Sequence, residues 1–262
     1  MRKILLDDLP YGMPEELIKR FEGCSLYDSS CSPEARVYYA DTQMGYYIKT
    51  ARAGTLRQEC DLTRYFYSIG YGVEVCDYIS GDSDWLVTRA AKGEDCTNRK
   101  YLDDPKRLCD ILGESLRMLH ETPFGSCPVQ NRIETYTATV DSNFSVGMFD
   151  RELFAGSVYE LKNAREAYAV FVDGRDALES SVLLHGDYCL PNIILDDWRL
   201  SAFIDVGNGG AGDRHIDLFW ALWTLWFNLK TDIYSDRILD AYGRDKVSNE
   251  LLRVVAAAET FG

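Results

Sequence analysis

The sequence predicts an α+β protein of two lobes, a β-rich N-terminal lobe followed by a mainly helical C-terminal lobe. Three observations carry this. Short β-branched and aromatic runs come in pairs before Gly93. Beyond it, apolar residues recur at helical spacing, at Leu108, Ile111, Leu112, Leu116 and Leu119. Two segments, His185-Gly186-Asp187 and Asp205-Val206-Gly207, each come after a short apolar run, which suits loop carboxylates facing a cleft.

Residues 34–40 and 45–50 read as strands joined by the polar turn Asp41-Thr42-Gln43. Residues 56–69 read as a helix stopped by Gly70. A second strand pair covers 73–79 and 85–88, with Ser80-Gly81-Asp82-Ser83-Asp84 as its turn. Residues 89–93 connect the lobes, which divide as 1–91 and 92–262. Residues 105–120 form a helix that Asp104 can cap, and 149–173 are helical in pattern. The apolar runs 182–184 and 192–195 flank the first aspartate motif. Residues 202–204 lead into the second, across the turn Asp196-Asp197-Trp198-Arg199. From Asp213 onward the pattern is helical. A cleft between two lobes is a common place for a ligand.

Composition narrows the function. A chain of 262 residues, 46% apolar and 27% charged, is long enough for a sizeable core. Its most apolar stretch, 216–229, is too short to span a membrane and carries Asp217 near its start. Acids interrupt the first residues where a signal peptide would be apolar, so a cytoplasmic protein is expected, as monomer or weak dimer, with no membrane partner. The net charge of −14 argues against nucleic acid and favours a cationic small molecule, although acidity also serves solubility. The eight cysteines form no Cys-x-x-Cys pair and no zinc-type spacing, so they read as reduced thiols.

The chemistry lies in the order Asp187, Asn192, Asp205. One carboxylate can orient an attacking hydroxyl. A carboxamide and a second carboxylate can hold Mg²⁺, which prefers few protein oxygens plus phosphates and water. Lys49 ends the run Tyr46-Tyr47-Ile48, where a cation can meet phosphates, and Glu59 in the next helix can pair with it. His185 is expected to shape its loop, and His120 and His215 to be structural or solvent-facing. The stretch 207–212 fits G-x-G-x-x-G, but that fingerprint needs a parallel strand after its helix, and residues 228–242 have helical composition instead. These glycines are expected to form a flexible segment after Asp205. Phe219, Trp220, Trp223, Trp226 and Phe227 recur at helical spacing and are expected to be mostly core.

Taken together, these motifs resemble the aminoglycoside phosphotransferases, in pattern the 3′-phosphotransferase or kanamycin kinase branch, over nearly the whole chain. Ser32-Pro33-Glu34-Ala35-Arg36-Val37-Tyr38 is similar to that family's nucleotide-positioning loop, Tyr46-Tyr47-Ile48-Lys49 to its lysine strand, and Arg57-Gln58-Glu59 to the segment of its paired glutamate. Trp85-Leu86-Val87-Thr88-Arg89-Ala90 is similar to its last strand and hinge. The resemblance implies a protein-kinase-like fold and a cytoplasmic antibiotic-resistance kinase. ATP or GTP would be the donor, with Mg²⁺ as cofactor. Ser32 and Tyr47 would contact the nucleotide, and the backbone at Thr88 and Ala90 would meet the base edge. It further implies Asp187 as catalytic residue, Asn192 and Asp205 as metal ligands, and an acceptor side including Asn208 and Glu259. The chain has Asn208 where that branch usually has arginine, and residues 223–228 are aromatic and nearly uncharged where the branch carries an acidic residue. The alternatives are a kinase for another hydroxylated metabolite or antibiotic, and a nucleotide-binding pseudokinase.

Overall fold

The computed structural model describes residues 3–31, 35–150, 153, 161 and 163–262. The first lobe is built on a six-stranded antiparallel sheet. In chain order its elements are β1 (Ile4–Leu5), helix α1 (Glu15–Arg20), β2 (Ser25–Asp28), β3 (Arg36–Asp41), β4 (Tyr46–Arg52), helix α2 (Arg57–Ser68), β5 (Val75–Ser80) and β6 (Ser83–Arg89). The strands lie in the order β1-β2-β3-β4-β6-β5. Side chains alternate across this sheet. Leu26, Ala40, Ile48, Trp85 and Val87 point to one face and are buried against Met13, Leu17 and Phe21 of the α1 region. Tyr27, Tyr39, Tyr47 and Lys49 therefore share the opposite face, and the register aligns the three tyrosines directly across β2, β3 and β4.

Asp84, expected in a turn, is instead a buried residue of β6, and only Gly81 and Asp82 separate β5 from β6. Its carboxylate accepts hydrogen bonds from the Leu56 N–H at 2.9 Å, the Tyr78 hydroxyl at 3.0 Å and the Ser80 hydroxyl at 2.6 Å. Leu56 is the N-cap position of α2, and its own side chain offers no cap. Asp84 thus ties the start of that helix to the sheet.

The second lobe contains β7 (Glu94–Asp95), α3 (Arg99–Leu102), α4 (Pro105–His120), α5 (Arg132–Ser145), α6 (Ala164–Gly174), β8 (Val182–Leu184), β9 (Ile193–Asp196), β10 (Arg199–Phe203), β11 (Gly210–Gly212), α7 (Arg214–Leu229), α8 (Ser235–Tyr242) and α9 (Asn249–Glu259). The apolar stripe of α4 (Leu108, Leu112, Leu116 and Leu119) packs with Ile238, Leu239 and Tyr242 of α8. A second core gathers α5, α6 and α9 around Phe171 and Phe261. No helix among the described residues is long and apolar enough to cross a membrane.

Three expectations change. Among the described residues, the helical pattern over 149–173 is an α-helix at Ala164–Gly174, capped by the Asn163 side chain; residues 151–152, 154–160 and 162 fall outside the described residues. The glycine-rich segment is not a flexible link: Gly210–Gly212 is a fully buried strand paired with β8. A Cβ on Gly210, whose φ is +133°, would sit 2.7 Å from Val129. Finally, α5 was not foreseen, because only Tyr136 and Val140 of its fourteen residues are buried and threonine and asparagine dilute its period.

Replacing Asp84 with alanine leaves a buried N–H and two hydroxyls without their acceptor. The expected loss is about 2–4 kcal/mol of stability in urea denaturation. A variant within about 0.5 kcal/mol of wild type would refute this role for Asp84.

Candidate active site

The roof of the cleft is β4. Lys49 Nζ lies 2.9 and 2.7 Å from the two carboxylate oxygens of Glu59 on α2, and 2.8 Å from Asp205 Oδ1 in the second lobe. Burial works against the Lys49 charge, but Asp205 and Glu59 outweigh it and hold the ammonium above the ordinary lysine value. Burial pushes Glu59 up, Lys49 pulls it back, and the Asp205 carboxylate adds repulsion. One ammonium thus joins a strand, a helix and the opposite lobe.

The floor is set by the β9–β10 hairpin. Its register pairs Ile193 with Phe203, so Asn192 and Asp205 leave the hairpin at the same end. The Ile204 N–H donates to the Asn192 carbonyl at 3.0 Å, and Asp205 turns away with φ +57°. The Asn192 amide nitrogen donates to the Asp187 carboxylate at 2.8 Å and to the Asp187 carbonyl at 3.0 Å. With its nitrogen engaged on Asp187, the carboxamide oxygen of Asn192 has no hydrogen-bond partner among the described residues, and Asp205 keeps one carboxylate oxygen off Lys49. Among the described residues no three His, Cys, Asp or Glu side chains gather as a metal cage. Two hard oxygens without a cage fit Mg²⁺ bound together with nucleotide phosphates.

The loop carrying Asp187 is fixed from below by a residue that sequence reasoning passed over. Asp217, fully buried on α7, accepts the backbone N–H of His185 at 2.7 Å and of Gly186 at 2.8 Å. His120 Nε2 lies 3.0 Å from the same carboxylate, and His120 Nδ1 lies 2.8 Å from the Tyr242 hydroxyl. Burial lowers the His120 pKa, which favours a neutral ring there. The Leu190 N–H donates to the Thr224 hydroxyl, one further contact between loop and α7. His185 shapes the loop as expected: its Nδ1 accepts the Asp187 N–H at 3.2 Å, and the ring stands edge-on to Phe203. The signal for Asp217 was a single acid inside the most apolar helix of the chain.

His120 and His215 are both buried, so neither is solvent-facing. His215 Nε2 accepts the Ser248 N–H at 2.9 Å, which places its proton on Nδ1, 2.6 Å from Asp213. Gly186, with φ +87°, lies so near the Asn208 carbonyl that a Cβ would come within 2.0 Å of it. Asn208 therefore lies against the Asp187 loop.

Tyr47 is half-buried on the roof, with its ring centroid 5.2 Å from that of Tyr39. Thr88 sits opposite Tyr47 in the central strand. The Ala90 N–H donates to the Gly45 carbonyl at 3.0 Å, so of the Ala90 backbone the carbonyl is the group left for a base edge. Ser32 lies outside the described residues. The aromatic stripe of α7 divides: Phe219 is core, while Phe227 is exposed and stacks on Trp223 at 4.9 Å.

Glu259, at the end of α9, is buried. Burial pushes its carboxyl up to about 7, against hydrogen bonds from Tyr136 and Trp220 and the charge of Arg132, with Asp187 adding repulsion. Its Oε1 accepts the Tyr136 hydroxyl at 3.0 Å.

Known proteins match this arrangement. The profile described as the phosphotransferase enzyme family matches residues 33–254. The protein named probable aminoglycoside 3′-phosphotransferase from Lactococcus lactis subsp. lactis (strain IL1403) is 44% identical over 250 residues, which cover 95% of each chain. A crystal structure of an aminoglycoside-3′-phosphotransferase of type VIII superposes with a TM-score of 0.73 at 24% identity, covering 94% of this chain and 97% of that one. A Streptomyces rimosus aminoglycoside phosphotransferase in complex with ADP and streptomycin has a TM-score of 0.66 at 21% identity, covering 86% and 90%. These two structures share the two-lobed, kinase-like fold.

Glu259 yields a pH prediction. A carboxyl raised in the folded state contributes stability that is fully present below its ordinary value of 4.5 and is lost as pH rises through about 7. Glu259→Gln removes this titration. The variant is expected to gain about 2–3 kcal/mol on wild type between pH 4.5 and pH 8 in urea denaturation. A stability difference constant over that range would contradict the assignment.

Proposed function

The chain belongs to the phosphotransferase enzyme family, and we propose that it transfers the γ-phosphoryl group of a nucleoside triphosphate, ATP or GTP, to a hydroxyl of an aminoglycoside. The observation that carries this is the Lys49 ammonium held between Glu59 and Asp205, at the end of the hairpin where the Asp187–Asn192 pair also lies. The 44% identical relative is named a probable aminoglycoside 3′-phosphotransferase, and a structural neighbour solved in complex with ADP and streptomycin supports a nucleotide donor and an aminoglycoside acceptor.

In this reading Lys49 meets the phosphates and Glu59 positions it. Tyr47 stacks on the base, the backbone at Thr88 and the Ala90 carbonyl border the base edge, and Ser32 is a further nucleotide contact. Asn192, through its oxygen, and Asp205 would hold Mg²⁺, which when bound supplies positive charge to the phosphates. Asp187 orients the acceptor hydroxyl and takes its proton. The hydroxyl oxygen bonds to the γ-phosphorus as the bond to the β-bridging oxygen breaks, and the nucleoside diphosphate leaves. Asn208 and Glu259 border the acceptor. The nucleotide lobe is residues 1–91 and the catalytic lobe 92–262; the pairing of β7 with β9 supports a division just before residue 94. Such an enzyme would work in the cytoplasm and confer antibiotic resistance.

The test is steady-state release of nucleoside diphosphate across aminoglycosides, macrolides and amino-sugar metabolites, with Asp187→Ala beside wild type. At least one aminoglycoside is expected to be turned over. The variant should lose roughly 10²–10⁴ in kcat while unfolding at the same urea concentration. Near-wild-type kcat in the variant would remove Asp187 from the chemistry, and no turnover of any aminoglycoside would overturn the acceptor.

A further inference from the structure

We propose that Arg132 determines which acceptors the site takes, by opposing an ammonium group and donating to a hydroxyl at the position it faces. The inference rests on the acceptor reading above and refines its substrate class.

Arg132 opens α5, and Tyr136 lies one turn further on the same face of the helix. Tyr136 donates to the buried Glu259 carboxylate. The Arg132 guanidinium reaches the other way, donating to the Asn208 carboxamide oxygen at 3.3 Å and to the Thr135 hydroxyl at 2.8 Å. Asn208 packs on Gly186, the residue immediately before Asp187. The positive charge therefore stands one contact away from the loop that presents the proposed base.

Two features make this charge active toward a ligand. Among the described residues, no carboxylate lies within ion-pair distance of Arg132, although Glu259 is near enough to favour its charge. Burial acts against the guanidinium without discharging it, because arginine does not deprotonate in proteins. A partly desolvated, unneutralised guanidinium with N–H donors to spare accepts oxygen at close range and repels an ammonium. Arg132 thus selects a hydroxyl-rich acceptor with a hydroxyl or other oxygen toward the guanidinium, in preference to an acceptor with an ammonium at that place.

The experiment measures kcat and KM for matched pairs of aminoglycosides in which one member carries a hydroxyl where the other carries an amino group. The enzymes are wild type, Arg132→Ala, Arg132→Gln and Arg132→Lys. Wild type should prefer the hydroxyl member of at least one pair by about tenfold in kcat/KM. Arg132→Ala and Arg132→Gln should erase that preference through KM, with kcat little changed, and Arg132→Lys should retain it. A structural role alone would lower activity on both members together and would not be rescued by lysine. A preference that survives in both neutral variants, or the lack of one in wild type, overturns the proposal for Arg132. Failure of wild type to phosphorylate any member while still binding nucleotide overturns the acceptor reading itself, and the inference falls with it.

Discussion

One ammonium group organises this molecule. Lys49 is drawn from the sheet of the first lobe, Glu59 from the helix after it, and Asp205 from the hairpin of the second lobe. Two carboxylates so close would repel each other without the cation between them, and the cation could not remain charged at that burial without them. The geometry of each partner is fixed locally. Strand alternation turns Lys49 toward the cleft, Asp84 anchors the start of the Glu59 helix, and the β9–β10 register brings Asp205 to the end of its hairpin. The relation between the lobes therefore depends on a polar contact, and a nucleotide polyphosphate would enter where that contact lies.

A second buried carboxylate holds the other half of the site. Asp217 accepts two consecutive backbone N–H groups of the Asp187 loop and is braced by His120 and Tyr242. A carboxylate removed from water is tolerated when its oxygens are filled by donors of fixed geometry. Those donors belong to the 185–187 loop itself, so the loop that presents Asp187 and Asn192 is tied to the core of its lobe. The region beside that loop is built differently: α5, α9 and the glycine-rich segment each supply one polar group, in Arg132, Glu259 and Asn208.

That Lys49, Glu59, Asp187, Asn192 and Asp205 belong together was legible in the sequence because they lie in short motifs with local spacing. Asp187 and Asn192 are five residues apart, Lys49 ends a strand pattern, and Glu59 opens a helix pattern. The α4 helix was legible to the residue, since its apolar stripe and its Asp104 cap are both strong. What was missed depends on contacts distant in sequence. Asp217 and His120 meet only in the fold. Asp84 sat among turn-forming residues, and nothing local distinguished a buried acceptor from a turn former. The glycines at 210–212 matched a loop in composition, yet they are there because Val129 and the β8 strand approach too closely for side chains.

The central claim is that Glu59 acts only through Lys49 and that Lys49 is the group that meets the nucleotide. A double-mutant cycle on nucleotide affinity tests it most directly, with Lys49→Met, Glu59→Gln and the two combined, measured by calorimetry. The account predicts that each single variant weakens binding and that the double variant binds no more weakly than Lys49→Met alone. Additive losses, or undiminished affinity in Lys49→Met, would contradict it.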